Sequence, residues 1–336
     1  MRNQQPYLTL AMALLLMLAA VLGCGKLKDK PDWTRVHKIA GKEQRLSHVS
    51  GLVVDDKFAY VTIGGNIADQ NEGNSGLRKV SLDSGAVTTL DDGKQLPQSD
   101  YGGIAMDDKY VYWNTGGNIL RVAKDGGKPE VVASESVGSG LDMVVDNEKI
   151  YWANHGYYSA KSPTFKPIYS VAKQGGKTEV FAAEQKIPHS LVADESFVYW
   201  LTSSGISKQA KKGGQPQVIY QVGEQEGVDK LSQDNESLYF GFRSAGNSRW
   251  ALCKISKQGG APQTLVKTYS LKPVIVDEKN IYFFDEETLM KDTFCRIAKT
   301  GGEVTRIDTG YESGMIDQSK TQVYFAGLDE IYSYPK

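Results

Sequence analysis

Short apolar runs alternate with polar turns along most of the chain. In residues 103–133 this pattern predicts strands at 104–106, 110–113, 119–123 and 130–133. Val, Ile, Tyr and Trp favour a pleated, half-buried backbone. Asp125-Gly126-Gly127 is a strong hairpin signal, because glycine adopts a positive φ at little steric cost. No apolar stripe at helical spacing occurs here. The stretch therefore predicts one four-stranded antiparallel unit.

This unit recurs seven times. Its second strand carries a tyrosine in every copy, at Tyr60, Tyr112, Tyr151, Tyr199, Tyr239, Tyr282 and Tyr324. Five residues before each tyrosine a turn begins, at Asp55, Asp107, Asp146, Asp194, Asp234, Asp277 and, as the exception, Ser319. Four-stranded repeats of about 40 residues are typical of propeller blades. The sequence therefore predicts an all-β fold, a seven-bladed β-propeller, as a single domain over residues 33–336.

The seventh unit ends after its third strand and lacks an outer one. An open edge would remain unless another segment paired with it. Residues 33–39, WTRVHKI, precede the first unit and alternate like a strand. We expect them to pair with residues 331–334, so that an N-terminal strand completes the last blade and closes the ring. The alternative is that residues 33–46 form a disordered linker.

The first 24 residues have the pattern of an export signal. Arg2 precedes an apolar run from about Leu8 to Leu22, which is short for a membrane span and right for a signal peptide. The run ends in Val-Leu-Gly-Cys24, which resembles the bacterial lipobox, although Leu22 departs from the usual small residue. The resemblance implies a signal peptide over 1–23, lipidation of Cys24 (palmitate being one such acyl group) and a tether over 24–32. The alternatives are an ordinary signal peptide or an N-terminal anchor.

Charge and the residue after Cys24 refine the expected location. Gly25 is not the Asp that retains enteric lipoproteins in the inner membrane, which favours the outer membrane of a Gram-negative envelope. Loss of residues 1–23 removes only Arg2 and leaves 38 basic against 40 acidic residues, a net charge of −2. No basic field is present to recruit nucleic acid. We expect a monomer that contacts the membrane only through its lipid and binds an unknown protein or envelope polymer.

The two faces of the predicted ring differ in their variability. The turns after the first and third strands lie on one side, which we call the lower face, and they are nearly uniform. The loops after the second strands lie on the opposite, upper face and vary in length, which favours them as a binding surface. Candidate binding residues there are His155, Tyr157, Tyr158, Arg243, Arg249 and Trp250, with Asp100 and Tyr101 before the second unit. Aromatics beside Arg are typical interface anchors. The alternative, equally weighted, is that these side chains pack on one another to hold long loops in place.

A second hypothesis is an enzyme, a lyase or hydrolase, with its site at the upper mouth of the central channel. His48, His189 and Asp229 precede their first strands there, and His189 and Asp229 fall at the same register in neighbouring units. A His beside a carboxylate can act as a general base. No nucleophile motif, phosphate-binding loop, zinc motif or dinucleotide fingerprint occurs. We therefore favour binding over catalysis and expect no cofactor.

Two further features have simple structural explanations. One turn Asp per blade cannot supply the six to eight oxygens that calcium needs, so we expect no metal at the lower turns. Cys253 and Cys295 occupy the same slot of adjacent units. Equivalent side chains point the same way from stacked sheets, so we expect buried thiols and no disulfide.

Tyr112-Trp113, Tyr151-Trp152 and Tyr199-Trp200, each after an Asp turn, resemble the YWTD-type repeat of the low-density lipoprotein receptor. The longer unit, with Arg-Val-Ala-Lys before the Gly-Gly hairpin, looks more like the propeller lipoproteins of bacterial secretomes. The receptor modules have six blades rather than seven, and the Thr-Asp after Tyr-Trp is absent here, which puts their inter-strand polar network in doubt. The resemblance implies the fold and a protein-binding habit, and no catalytic residue carries over.

Overall fold

A computed structural model describes residues 35–44, 46, 48–64, 75–94, 103–115, 117–134, 141–154, 165–272, 274–288, 291–308, 314–327 and 329–336. All of them belong to one compact unit. They form seven antiparallel four-stranded sheets in a ring, which confirms the predicted seven-bladed β-propeller. In this part of the chain no helix is long and apolar enough to cross a membrane.

Each blade runs in chain order from its first to its fourth strand. Blade 1 contains β2 (Val49–Val54), β3 (Phe58–Ile63), β4 (Gly76–Ser81) and β5 (Val87–Asp91). Blade 2 contains β6 (Ile104–Met106), β7 (Tyr110–Thr115), β8 (Asn118–Ala123) and β9 (Glu130–Ala133). Blade 3 contains β10 (Leu141–Val145), β11 (Lys149–Asn154), β12 (Phe165–Ala172) and β13 (Glu179–Lys186).

Blade 4 contains β14 (His189–Ala193), β15 (Phe197–Thr202), β16 (Gly205–Ala210) and β17 (Gln217–Gln221). Blade 5 contains β18 (Gly227–Gln233), β19 (Ser237–Arg243), β20 (Trp250–Ser256) and β21 (Gln263–Thr268). Blade 6 contains β22 (Ile275–Val276), β23 (Asn280–Thr288), β24 (Lys291–Ala298) and β25 (Thr305–Asp308). The first strands contact one another from blade to blade around the whole ring, so they are the inner strands.

Blade 7 is closed by the N-terminal strand. It contains β26 (Met315–Gln318), β27 (Gln322–Ala326), β28 (Ile331–Pro335) and, at its outer edge, β1 (His37–Ala40). β1 pairs antiparallel with β28, with His37 opposite Ser333 and Lys38 opposite Tyr332. A single turn of 3-10 helix, Lys42–Gln44, follows β1. The predicted closure by the two ends of the domain is therefore confirmed.

The core explains why tyrosine and tryptophan are adjacent in the second strands. Successive strand residues point to opposite faces of a sheet, and here both faces of a blade are covered by its neighbours. Tyr112 packs towards blade 3, beside Trp152, whereas Trp113 packs towards blade 1, beside Tyr60. Among the described residues, one hydrophobic cluster fills each of the seven blade junctions. Blade stacking therefore depends on burial of large side chains, at roughly 1.5–3 kcal/mol for each one buried.

Several residues expected in upper loops lie in strands instead. Arg243 ends β19 and Trp250 begins β20, so both belong to the strands of the blade 5 hairpin. In blade 6 the ladder extends further, and Asp285 to Glu287 belong to β23 rather than to a loop. Inserted residues continue the ladder because each further pair satisfies two backbone groups that a loop would leave to water.

The two cysteines of the propeller lie where expected. Cys253 belongs to the cluster between blades 4 and 5, and Cys295 to the cluster between blades 5 and 6. Both are buried thiols, and no disulfide joins them. Burial raises the pKa of the Cys253 thiol.

Asp317, on the inner strand of blade 7, joins that blade to blade 1. Its Oδ2 accepts a hydrogen bond from the Val54 backbone N–H at 2.7 Å, and its Oδ1 accepts one from the Gln318 N–H at 2.8 Å. Burial raises the pKa of Asp317 to about 6, against the opposing effect of these two hydrogen bonds. Asp317 as a whole residue keeps part of its surface exposed.

The raised pKa predicts a loss of stability as the pH rises. The folded state holds the Asp317 proton more tightly than the unfolded chain, so its stabilising effect is complete below about pH 4 and is lost as the pH rises towards 6. Asp317→Asn keeps an acceptor for the Val54 N–H and cannot ionise. The free energy of unfolding of this variant, relative to that of the wild type, should rise by roughly 1–3 kcal/mol between pH 4 and pH 7. Urea unfolding of both proteins at pH 4 and pH 7 measures this rise. The same difference between variant and wild type at the two pH values would contradict a raised pKa for Asp317.

Candidate functional sites on the two faces

The turn aspartates of the lower face bind their own backbone, as expected. In blade 2, Asp107 Oδ1 accepts hydrogen bonds from the Lys109 and Tyr110 backbone N–H groups, both at 2.8 Å. The same pair of hydrogen bonds recurs at Asp55, Asp146, Asp194, Asp234 and Asp277. In these six blades, one carboxylate oxygen of the aspartate is thus used to form the turn.

The second oxygen of each turn aspartate has a role that the sequence analysis missed. In blade 4, Asp194 Oδ2 accepts a hydrogen bond from the Tyr199 hydroxyl at 2.9 Å and one from Lys257 Nζ of blade 5, also at 2.9 Å. We call this Asp–Tyr–Lys arrangement a latch, because it joins one blade to the next. The six Lys–Asp distances are Lys124–Asp55 3.1 Å, Lys173–Asp107 2.6 Å, Lys211–Asp146 2.7 Å, Lys257–Asp194 2.9 Å, Lys299–Asp234 2.5 Å and Lys336–Asp277 3.9 Å.

A second tier of cations reinforces three of these junctions. Arg121 in β8 lies 4.7 Å from the centre of the Tyr110 ring and donates from Nη1 to the Lys173 carbonyl of blade 3 at 2.7 Å. Lys79 and Lys208 make the equivalent contacts, over Phe58 and Phe197 and to the carbonyls of Lys124 and Lys257. At these three junctions, charged groups on the lower side therefore contact the neighbouring blade in two tiers.

The latches hold their carboxylates ionised. Burial alone would raise the pKa of Asp107, but hydrogen bonds from Lys173 and from the backbone of Tyr110 and Lys109 outweigh it and hold that pKa at about 2. The pKa of Asp194 is also about 2 for the same reasons, with Lys257 as the cation, and that of Asp234 is lower still. Burial and the adjacent carboxylate raise the pKa of each latch tyrosine.

Two clefts open on the lower face, and both are built around latches. One, of about 760 Å³, lies between blades 4 and 5 and is lined by Asp194, Glu236 and Lys257 among others. The other, of about 500 Å³, lies between blades 2 and 3 and is lined by Asp107, Asp146 and Lys173 among others. The described residues contain no group of three or more His, Cys, Asp or Glu side chains that could hold a metal ion. The clefts follow from the way in which the blades are joined.

On the upper face, His189 and Asp229 occupy equivalent positions at the channel mouth. His189 pairs with Leu201 of β15, and Asp229 pairs with the equivalent Gly241 of β19. The His189 ring faces two backbone carbonyls, with Nδ1 3.0 Å from Ile187 O and Nε2 3.4 Å from Val228 O. Asp229 Oδ1 accepts from the Lys230 N–H at 2.8 Å, and its Oδ2 lies 3.4 Å from Lys230 Nζ. The contact between His189 and Val228 joins the inner strands of blades 4 and 5, and the catalytic role of the His189–Asp229 pair stays a prediction.

His48, the third catalytic candidate, lies at the junction of blades 7 and 1. Its side chain is exposed, its φ is 54°, and its backbone N–H donates to Asp329 Oδ1 at 3.3 Å. Blades 1 and 4 lie on opposite sides of a seven-membered ring. His48 therefore belongs to a different part of the channel mouth from His189 and Asp229.

Blade 5 carries the upper-face binding candidates that the structure describes. The Arg243 guanidinium lies 5.1 Å from the centre of the Trp250 ring. The Arg249 guanidinium lies 4.3 Å from the centre of the Tyr269 ring, and its Nη2 donates to the Tyr269 hydroxyl at 3.0 Å. Both arginines are exposed, and Tyr269 keeps 49% of its surface exposed. We call these four side chains the arginine–aromatic patch. They contact one another, as the packing alternative expects, and also present a surface to solvent.

Tyr269 was missed by the sequence analysis because it lies in the connection between blades 5 and 6. That connection is held from below by two buried carboxylates of blade 6. Asp285 Oδ1 accepts from the Tyr269 and Ser270 backbone N–H groups at 2.9 and 3.2 Å, and Asp292 pairs with Lys272 at 2.8 Å. Charged side chains that are 1% exposed are rare unless paired, so their presence beneath this segment indicates a fixed backbone.

The remaining candidates lie outside the described residues. They are Cys24, Asp100, Tyr101, His155, Tyr157 and Tyr158. Their proposed roles in lipidation and binding stay predictions.

Comparison with known proteins adds support for the fold. No protein-family model matches the sequence, and no curated protein matches it either. The structure is similar to an oligogalacturonate lyase in complex with manganese, with 12% sequence identity, a TM-score of 0.64, and 89% of this chain and 92% of that chain covered. It is also similar to YCF48 bound to D1 peptide, with 11% identity, a TM-score of 0.61, and 92% and 97% covered. A third similar structure is the GH74 enzyme of Niastella koreensis, with 13% identity, a TM-score of 0.62, and 89% of this chain and 53% of that chain covered. At these identities the similarity shows the fold alone, and this fold occurs in both enzymes and binding proteins.

The latch predicts a stability cost for losing one charge in it. Asp234→Asn should lower the free energy of unfolding by about 1–3 kcal/mol at pH 7, because Lys299 is left largely buried without its counter-ion. The wild type should also lose more stability than Asp234→Asn when the pH falls below 4. The folded-state pKa of Asp234 lies below its unfolded value, so the ionised carboxylate stabilises the fold above about pH 4, and acidification removes this stabilisation. Asp83→Asn, at an exposed hairpin carboxylate, is the matched control and should change stability by about 0.5 kcal/mol or less. Urea unfolding of both variants measures this, and equal effects would rule out the latch.

Proposed function

We propose that this chain is an exported, lipid-anchored protein of the bacterial cell envelope that binds another protein through the upper face of its propeller. The arginine–aromatic patch carries the proposal. Trp, Tyr and Arg are the residue types that dominate binding energy at protein interfaces, and here four such side chains lie together on one upper edge.

The patch is arranged in advance of binding. The hydrogen bond from Arg249 to the Tyr269 hydroxyl fixes two long side chains, and Asp285 fixes the backbone that carries Tyr269. Association ordinarily loses free energy in ordering interface side chains, and a preformed surface reduces that loss. Each guanidinium stacks by one face on a ring, so its in-plane N–H groups can still meet carboxylates or carbonyls of a partner.

The lower face supports the same proposal by contrast. Six of its turn aspartates and their partner lysines are engaged in latches, whereas the upper hairpins differ from blade to blade in length and composition. A structural neighbour, YCF48, is bound to a peptide, so a protein of this fold can bind a segment of another protein. Because a lyase and a glycoside hydrolase are also structural neighbours, the experiment below includes catalysis as a separate outcome.

Removal of the two arginine charges from the patch should strongly reduce the amount of binding partner that the protein recovers. Arg243→Ala/Arg249→Ala should recover at least tenfold less of any specific partner from detergent-solubilised envelope than the wild type does. Lys128→Ala/Lys177→Ala removes the same charge from exposed lower-face hairpins and is the matched control, which should recover the wild-type amount. Quantitative mass spectrometry of the eluates measures both.

Other outcomes of this experiment distinguish the alternatives. Equal recovery by the patch variant and the wild type would overturn the upper-face proposal. A polysaccharide in the eluate would replace the protein partner with an envelope polymer. Turnover of an envelope polymer that is lost in His48→Ala/His189→Ala, with binding retained, would favour the enzyme alternative.

The anchor has its own test. Cys24→Ser should move the protein from the membrane pellet to the soluble envelope fraction, because no lipid can then be attached. Mass spectrometry of the wild type should find an N-terminus at residue 24 that carries acyl chains. A wild-type N-terminus that retains residues 1–23, or an unmodified Cys24, would contradict the lipoprotein assignment and leave the binding test unaffected.

A further inference from the structure

One junction of the ring, between blades 7 and 1, has no latch. The turn of blade 7 carries Ser319 where the other blades carry Asp, and the third strand of blade 1 is followed by Leu82 where the others carry Lys. These two positions would be partners, so both departures fall on the same junction. The ion pair present there, Lys320–Asp56 at 3.0 Å, joins side chains that are 85% and 55% exposed and contributes little.

Apolar packing on β1 replaces the latch. Leu82 and Val87 of blade 1 pack with Ile39 of β1 against the cluster that joins blades 7 and 1. The hairpin of blade 1 lies so close that a Cβ on Gly85 would overlap the Ile39 carbonyl oxygen. β1 is therefore held between the β28 edge of blade 7 and the hairpin of blade 1.

β1 itself is a short strand with exposed side chains at His37 and Lys38, and its buried residue is Ala40 in the cluster that joins blades 7 and 1. It has four residues, and its pairing with β28 shifts register between Lys38 and Ala40. Its side-chain ion pairs, Lys38–Glu330 at 2.8 Å and Lys38–Glu43 at 3.0 Å, join groups that are 30–55% exposed. Backbone amides of short, exposed edge strands with few buried contacts exchange with solvent readily, because local unfolding of such strands requires little free energy.

Chain connectivity singles out the same junction. At every other junction the chain runs from the fourth strand of one blade into the first strand of the next, so separation there stretches a covalent connection. β1 instead continues into blade 1 through residues 41–48. When it leaves blade 7, no covalent connection holds blades 7 and 1 together.

We propose that β1 is a releasable strap and that the β28 edge beneath it is a strand-acceptor site. The site takes β1 from its own chain and, once β1 has left, an extended strand from another chain. Recognition is by backbone pairing along Ile331–Ser333, as in β-strand addition. The acceptable ligand has no proline, polar residues at the positions of His37 and Lys38, and small or branched apolar residues at those of Ile39 and Ala40.

Hydrogen exchange of the full-length wild-type protein tests the release directly. Amides of β1 and β28 should exchange at least tenfold faster than those of β17 and β16, the equivalent outer and third strands of blade 4. Equal protection in the two blades would overturn the proposal without any variant.

A matched pair of glycine variants tests the cause. Gly85→Ala and Gly246→Ala place the same Cβ at nearly the same φ, 69° and 68°, but nothing lies within 4 Å of the second position. Gly85→Ala should therefore speed exchange in β1 and β28 by a further tenfold or more, and Gly246→Ala should not. Ile39→Asp, which disturbs β1 without altering blade 1, should act like Gly85→Ala.

Binding in trans tests the acceptor site. A fluorescent peptide of residues 35–44, RVHKIAGKEQ, should bind Ile39→Asp at least tenfold more tightly than the wild type or Gly246→Ala, as measured by anisotropy. Gly85→Ala should show no such gain, because its Cβ would overlap the Ile39 carbonyl of the peptide as it does that of β1. A scrambled peptide is the control. Faster exchange without selective binding of the RVHKIAGKEQ peptide would overturn the acceptor site, and unchanged exchange in both strap variants would overturn the strap.

Discussion

The latch is the polar interaction that joins neighbouring blades at six of the seven junctions. One aspartate forms the turn with one oxygen and holds its own tyrosine and the next blade's lysine with the other, so strand geometry and blade stacking are fixed by the same side chain. Lys257 is only 5% exposed on its side chain, and an ammonium group so far from water is stable only beside its counter-ion. This requirement explains why the lower face is nearly identical from blade to blade.

The repeat and its strands were predictable from the sequence, because they depend on neighbours along the chain. Alternating apolar residues, turn aspartates and Gly-Gly hairpins specify each blade locally. The latch was not recognised, because Asp107 and Lys173 are 66 residues apart and belong to different blades. A signal was nevertheless present: both residues recur in the same frame of the repeat, and Ser319 and Leu82 break the pattern in two blades that become neighbours only when the ring closes.

The upper face was harder to predict for a related reason. Periodicity located the insertions but could not show that several of them continue a strand ladder, since this depends on pairing above the neighbouring blades. Arg243, Arg249 and Trp250 were recognised by residue type, whereas their contact with Tyr269 spans the connection to blade 6 and has no local signature. The buried Asp285 and Asp292 had no recognisable role in the sequence, and the structure shows that they support that connection.

Repetition also limits how far a change in one part of the ring is felt in another. A blade in such an array contacts only its two neighbours, so stability is close to a sum of blade and junction contributions. Blade 5, with the arginine–aromatic patch, contacts blades 4 and 6, whereas the junction without a latch joins blades 7 and 1. Binding at blade 5 and release of β1 therefore share no contact and require no coupling. The junction that closes the ring lacks one ion pair at two matched positions, Ser319 and Leu82, and it lies in blades that do not carry the arginine–aromatic patch.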